Sequence, residues 1–228
     1  MNRLPDVLGI GVQKGGTTWL HKMLEQHGDI LVPKSKELHF FDNRPVTEET
    51  LAEYKANFNE YGNEKIICEV TPGYFWLSPY KADEYDVPSF RFDTAKKAAE
   101  VLGPDTKLIL LLRNPVDRAI SAYLHHYKRG RIPEGQSILD IGKKHGIIHM
   151  GFYARHLQEW YKHFDKENFF IARYEDIGME LLNEIMDFLG LSRFKKLKNI
   201  KKKYNTNFEY IRDENGVTII QDGQRKPL

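Results

Sequence analysis

Cysteine is almost missing from this chain: Cys68 is the only one in 228 residues. That excludes an internal disulfide and a zinc site built from cysteines, and it suits a reducing compartment. Long apolar runs are missing too. No stretch approaches the ~18 apolar residues of a membrane span, and no charged-then-apolar leader opens the sequence. The chain therefore reads as cytoplasmic, with no membrane partner expected. Charge of one sign is also lacking, since 34 Lys and Arg against 32 Asp and Glu leave a formal +2. Bulk charge thus decides nothing about a polyanionic partner, and no nucleic acid is expected. Repeats and low-complexity tracts do not occur. What remains is an ordinary globular composition, 41% hydrophobic and 29% charged, at a length that fits one domain with a sizeable core.

The richest stretch is Leu8–Leu20. An apolar run ends at Val12, then Gln13, Lys14, Gly15, Gly16, Thr17, Thr18 and Trp19 lead straight into a helical pattern. A strand, a tight turn and a helix start make a ready anion site, because unpaired amides and the helix dipole both favour negative charge. Lys14 adds a full positive charge. The pattern is not a Walker A loop, whose lysine follows the second glycine, whereas Lys14 precedes the pair.

Further along, Leu20, Met23, Leu24 and His27 keep helical spacing up to Gly28. Ile30–Val32 is extended, and 33–42 is a loop with one short turn. A helix capped by Thr47 covers 47–58. Ile66–Val70 reads as a strand, 74–88 as a covering loop, and 93–102 as a helix. Lys107–Leu112 is a continuous apolar run, as buried parallel strands show. Asn114 and Pro115 then start a helix that runs to Lys128. Residues 129–150 are loose, with a short helix from Ile138. A helical stripe over 153–164, a strand at 169–172 and a helix over 177–189 follow. From 193 to 203, seven of eleven residues are Lys or Arg, a solvated face or a patch for a polyanion. Asn215-Gly216 marks a tail hairpin between 208–212 and 217–220. Alternating strands and helices imply an α/β fold with a central, mostly parallel sheet of about five strands and helices on both sides.

Ligands of open α/β sheets lie beyond the carboxyl ends of the strands. The Lys14 turn and Arg113 both occupy such ends. A P-loop nucleotidase places an acid at the second strand end to hold Mg²⁺; here an arginine stands there, whose planar fork binds phosphate directly. A doubly anionic ligand held without an obligatory metal follows.

These two stretches resemble those of the PAPS-dependent sulfotransferases (PAPS is 3′-phosphoadenosine 5′-phosphosulfate). Gln13–Trp19 (QKGGTTW) is similar to the family's 5′-phosphosulfate loop, and Leu112–Tyr123 (LRNPVDRAISAY) to its 3′-phosphate segment. Lys36–Asp42 (KELHFFD) resembles the KExHFFD element of the heparan sulfate sulfotransferase branch and its bacterial relatives. The resemblance extends over nearly the whole chain, including Glu69–Phe75. It implies a P-loop-like three-layer domain over 1–228, with 204–228 as a hairpin and cofactor-covering tail. It also implies that PAPS is the co-substrate, PAP the product, and that no metal takes part.

By the same resemblance, Lys14 and the amides of Gly15 to Trp19 hold the phosphosulfate, with Thr17 and Thr18 adding hydroxyls. Arg113 and Ser121 hold the 3′-phosphate, and Arg225 belongs to the covering tail. Glu37 is the catalytic base and His39 its companion, facing the same way if the segment is extended. Asp42 reads as a cap or turn residue. Phe40 and Phe41 read as core. Two departures from the family pattern stand out. Val70 replaces a lysine common in the heparan sulfate enzymes, and Gly223-Gln224-Arg225 replaces Lys-Gly-Arg. The acceptor implied is a hydroxyl or amine of a carbohydrate or small natural product. Two rivals remain: a nucleotide kinase or other P-loop NTPase, which requires Mg²⁺, and a non-catalytic anionic-glycan-binding module, which needs no Glu37.

Overall fold

The computed structural model describes residues 3–59, 62, 64–76, 93–141, 144–202 and 204, and the backbone of 209–213, 216–221 and 224–227. Five strands form one all-parallel sheet: β1 (Val7–Gly11), β2 (Ile30–Leu31), β3 (Ile66–Val70), β4 (Lys107–Leu112) and β5 (Phe169–Arg173), in the order β2-β3-β1-β4-β5. Strand β1 is central, paired to β3 on one side and β4 on the other. From β1 the chain passes to the edge strand β2, returns to β3 beside β1, and then crosses to β4 and β5 on the other side, so β1 and β4 flank the topological switch point.

Strand alternation sorts the core into two layers. Leu8, Ile10, Ile67, Leu108 and Leu110 face α2 (Phe40–Asn43), α3 (Glu48–Ala56), α4 (Thr94–Leu102) and α6 (Tyr153–Trp160), giving one cluster with Phe40, Phe41, Tyr54 and Trp160. Val7, Cys68, Val70, Ile109 and Leu111 face α1 (Thr17–Leu24) and α7 (Met179–Leu189). Burial on both faces explains why β1 and β4 read as unbroken apolar runs. Between β4 and α6 lies α5 (Pro115–Lys128), with Asn114 accepting from Val116 N at 3.0 Å as its cap. No described helix is long and apolar enough to cross a membrane.

Most elements fall where the periodicity puts them, and α3 starts from the expected Thr47 cap. The helix expected from Ile138 does not form. Residues 144–146 and 149–151 make 3-10 turns instead, and the fully buried Arg118 of α5 ties this segment down by donating to the carbonyls of Gly146 and Ile147. Helix α7 begins at Met179 rather than Ile177. In the tail, β6 (Glu209–Asp213) pairs antiparallel with β7 (Gly216–Gln221), so Gly216 opens the return strand rather than sitting inside the turn. A third strand, β8 (Gln224–Pro227), pairs with β7 and was not expected. It contains Arg225, opposite Ile220; the Arg225 side chain and residues 77–88 of the expected covering loop lie outside the described residues.

Candidate active site

Strand β1 is followed by a turn in which Val12 N donates to Leu111 O at 2.9 Å and Gly15 N to Val12 O at 2.9 Å. The second bond corrects one expectation: the Gly15 amide is already committed within the turn. Gly16 caps α1 with φ +96°, a conformation that favours glycine, and a Cβ there would lie 2.5 Å from Ile177 Cδ1. No side chain caps the helix. The first intrahelical bond beyond the cap is Leu20 N to Gly16 O, 3.0 Å, so the amides of Gly16 to Trp19 have no acceptor inside the helix. Trp19 contributes only this amide, because its indole is buried and donates from Nε1 to Ile200 O at 2.8 Å.

Arg113, at the end of β4, lies beside this turn. Its Nη1 is 3.4 Å from Lys14 O, and its guanidinium sits 4.7 Å over the Tyr174 ring. Tyr153 fixes the same corner by donating to Arg113 O at 2.7 Å. Burial, reinforced by the Arg113 and Arg129 charges, pushes the Lys14 ammonium down to about 8. Two cations held together in this way form a site that an anion stabilises. Ser121 lies half-buried two turns along α5. Four and eight residues on are His125 and Arg129, a spacing that keeps one helical face. His125 is held down at about 4 by burial, then by Lys14, Arg129 and Arg131. Counting along that face from Ser121 would have found His125 and Arg129, which the sequence reading missed.

The acidic side of the crevice is the 36–42 segment. It is not extended: Glu37 (φ 66°) and His39 (φ 53°) are both left-handed. The two side chains still meet, with His39 Nε2 3.7 Å from Glu37 Oε2, but through turn geometry rather than strand parity. Lys36, which the sequence reading left without a role, donates to Glu37 Oε1. Burial opposes the charge on Glu37, yet the nearby His39 and the Lys36 hydrogen bond prevail and hold it at about 2. Asp42 is fully buried and takes His39 Nδ1 through both oxygens, at 3.1 and 3.0 Å. Together with Glu37 it raises His39 to about 9. Asp42 is therefore the partner that orients His39, beyond the turn residue expected. Room for the pair comes from Gly73, where a Cβ would fall 2.5 Å from Asp42 Oδ2.

Phe40 and Phe41 are core residues, as expected. Val70 is buried and faces the α1 side, so close to Gly9 that a Cβ there would lie 3.0 Å from Val70 Cγ2. In the basic run, Phe194, Leu197 and Ile200 pack against the α1 layer while Lys195, Lys196, Lys198, Lys201 and Lys202 are exposed. Among the described residues no group of three His, Cys, Asp or Glu side chains stands together as a metal site.

Three comparisons bear on this arrangement. The family model for the sulfotransferase domain matches residues 4–224. The chain is 32% identical over 203 residues to human heparan sulfate glucosamine 3-O-sulfotransferase 6, covering 84% of this chain and 54% of that protein. It is also 32% identical over 202 residues to human heparan sulfate glucosamine 3-O-sulfotransferase 3B1, covering 84% of this chain and 47% of the relative. The chain thus spans about half the length of these curated relatives. Among solved structures, a sulfotransferase from Alicyclobacillus acidocaldarius superposes with a TM-score of 0.68 at 25% identity, covering 90% of this chain and 87% of the other.

Proposed function

The chain belongs to the sulfotransferase-domain family, and from that premise we propose that it transfers a sulfuryl group from PAPS to a hydroxyl of a carbohydrate, releasing PAP. The observation that carries this reading is the place of the base loop on the sheet. Glu37 N donates to Val70 O at 3.2 Å, and Val70 pairs with Gly9 of β1, the strand that runs into the Lys14 turn. The base loop and the cationic strand ends therefore stand at the same carboxyl edge of the sheet, and the Glu37 charge acts on Lys14. The carbohydrate hydroxyl is supported by the names of the relatives similar to 84% of the chain, glucosamine 3-O-sulfotransferases. We place the reaction in the cytoplasm, a reading supported by the lone, buried Cys68.

The residues fit such a donor. The uncapped start of α1, with Lys14 beside it, suits one phosphate group, and Arg113 at the end of β4 suits a second. When bound, the donor supplies an electrophilic sulfur whose bond to the bridging oxygen is broken as the acceptor oxygen attacks. Lys14 and the α1 amides neutralise the charge that grows on the departing phosphate, where donors aimed in advance lower the barrier. Arg113 and Ser121 hold the 3′-phosphate, and Arg225 in β8 completes the cover. Glu37 accepts the acceptor's proton. In the free protein Glu37 is ionised but weakly basic. A bound polyanion raises its proton affinity by Coulomb repulsion, in the direction a base requires. His39, charged up to about 9, keeps the carboxylate turned towards the acceptor.

Thermal shift with PAP and with ATP plus Mg²⁺, followed by an acceptor screen with labelled PAPS, tests the proposal. Stabilisation by PAP and label transfer to a saccharide are expected. Strong stabilisation by ATP–Mg²⁺ with none by PAP would sink it.

A further inference from the structure

Glu69 is the penultimate residue of β3, fully buried, and no step above uses it. Three hydroxyls converge on its carboxylate. Tyr54 donates to Oε2 at 2.6 Å, and Thr71 and Tyr74 donate to Oε1 at 2.6 and 2.8 Å. Burial, with the Asp42 charge, raises its proton affinity, and the three hydroxyls that donate to the carboxylate offset part of that rise. An acid so placed is expensive to bury for packing alone.

What the two tyrosines touch next gives the acid a task. The Tyr74 hydroxyl accepts from Phe40 N at 2.9 Å. Phe40 opens α2, and His39, its N-cap, offers that helix no side-chain hydrogen bond, so the phenol of Tyr74 caps α2 from another part of the chain. The rings add to the grip: Phe40 stacks on Tyr54 with centroids 4.2 Å apart, and Phe41 meets Tyr74 edge-on at 5.4 Å. On the other side of His39, Glu37 N donates to Val70 O at 3.2 Å. The four residues Glu37 to Phe40, two of them left-handed, are thus fastened at both ends to the last two residues of β3. Left-handed non-glycine backbone persists only where surrounding structure imposes it.

We propose that Glu69 is the positioning residue of the base loop: through Tyr74 and Tyr54 it fixes the start of α2, and so sets Glu37 and His39 against the donor turn. A carboxylate suits the task better than a neutral acceptor. Hydrogen bonds to it are roughly twice as strong as neutral ones, and a tyrosine hydroxyl polarised by a carboxylate becomes a better acceptor for Phe40 N–H. The inference rests on Glu37 being the base.

The test is Tyr74→Phe, which keeps the ring and deletes the hydroxyl, beside Glu69→Gln and Glu69→Ala. His39 is titrated by NMR in the free protein, while kcat, the KM for PAPS and PAP affinity are measured in parallel. In Tyr74→Phe the His39 titration should move down from about 9. With it, kcat should fall about tenfold to a hundredfold, the scale of a small misplacement, with PAP affinity and the KM for PAPS within twofold. Glu69→Gln should retain more of both properties than Glu69→Ala. A lower melting temperature with His39 titration and kcat unchanged would reduce Glu69 to a buried structural acid and overturn the inference. Should the Glu69 variants fail to fold, Tyr74→Phe decides alone. The titration needs no substrate. If wild-type protein turned over no PAPS while the titration still moved in Tyr74→Phe, the base assignment would fall and the tether would stand.

Discussion

At the donor turn, the polar groups are main-chain amides and two cations standing at the ends of paired strands. At the base loop they are side chains, each oriented by another: Lys36 and His39 on Glu37, Asp42 on His39, Tyr74 on Phe40 N. The first region depends on sheet geometry and glycine, the second on a network held by buried acids. Charge is balanced differently too. Burial and the neighbouring Arg113 charge together drive the Lys14 ammonium down, whereas Glu37, His39 and Asp42 alternate in sign and reinforce one another. One region is set to receive charge, the other to hold charge it already has.

That contrast can be broken most strongly at Glu37. Glu37→Gln should lower turnover by about a thousandfold, within the range for loss of a general base, while calorimetry finds PAP affinity within twofold of wild type. Retention of most activity would remove the base assignment. Arg113→Ala should do the reverse. PAP affinity should fall by about 1.5–3 kcal/mol, the worth of a hydrogen bond to a charged group, with kcat at saturating donor little changed. Unchanged PAP affinity would refute the anchor.

Gly73→Ala probes the network's tolerance. With the new methyl 2.5 Å from Asp42 Oδ2, a loss of about 1–3 kcal/mol is expected from overpacking, read from the denaturant midpoint, and wild-type stability would contradict the close approach. The smallest effect is pH. Lys14 loses its proton near 8 in the free protein, and a bound anion raises that value. PAP affinity should therefore fall by at most about tenfold per pH unit above 8; a flat profile to pH 10 would contradict it.

The same alkaline range separates the two regions in stability. His39, raised to about 9, contributes fully below its ordinary 6.5, and that contribution is lost as pH rises through 9. Lys14, lowered to about 8 from 10.5, works in the opposite sense. Between those values the unfolded chain binds the extra proton, so this group's contribution to stability rises with pH. Glu37, lowered to about 2, contributes fully above 4.5 and loses that contribution only as pH falls through 2.

The donor side was legible because its chemistry is local. A glycine pair, a lysine and two strand ends leave their mark in short spacings, and Asn114-Pro115 announces its helix by capping rules alone. The base loop was legible only in part. Glu37 and His39 came from a motif, but what orients them is reached through contacts the linear order hides: Tyr74 to Phe40, 34 residues apart, and Tyr54 to Glu69, 15 apart. Asp42 passed for a turn residue because burial cannot be read from one position. The shape of the stretch beyond Ile138 was hidden for a related reason. Arg118 pins the 144–151 segment through carbonyls that local propensity does not foresee.

Each hydrogen bond described for the base loop begins and ends between residues 36 and 74. The donor side is instead divided between two distant stretches, 7–24 and 107–128. In genetic terms, the proposed base loop with its tether is a single heritable block that two crossovers would move intact. A recombinant carrying a foreign 30–76 segment inherits base, orienting acid and tether together. It must match its new host along the β1–β3 ladder, at Val70, where a larger side chain would meet Gly9, and across the core layer in which Phe40, Phe41, Tyr54 and Ile67 pack with Leu8, Leu108 and Trp160.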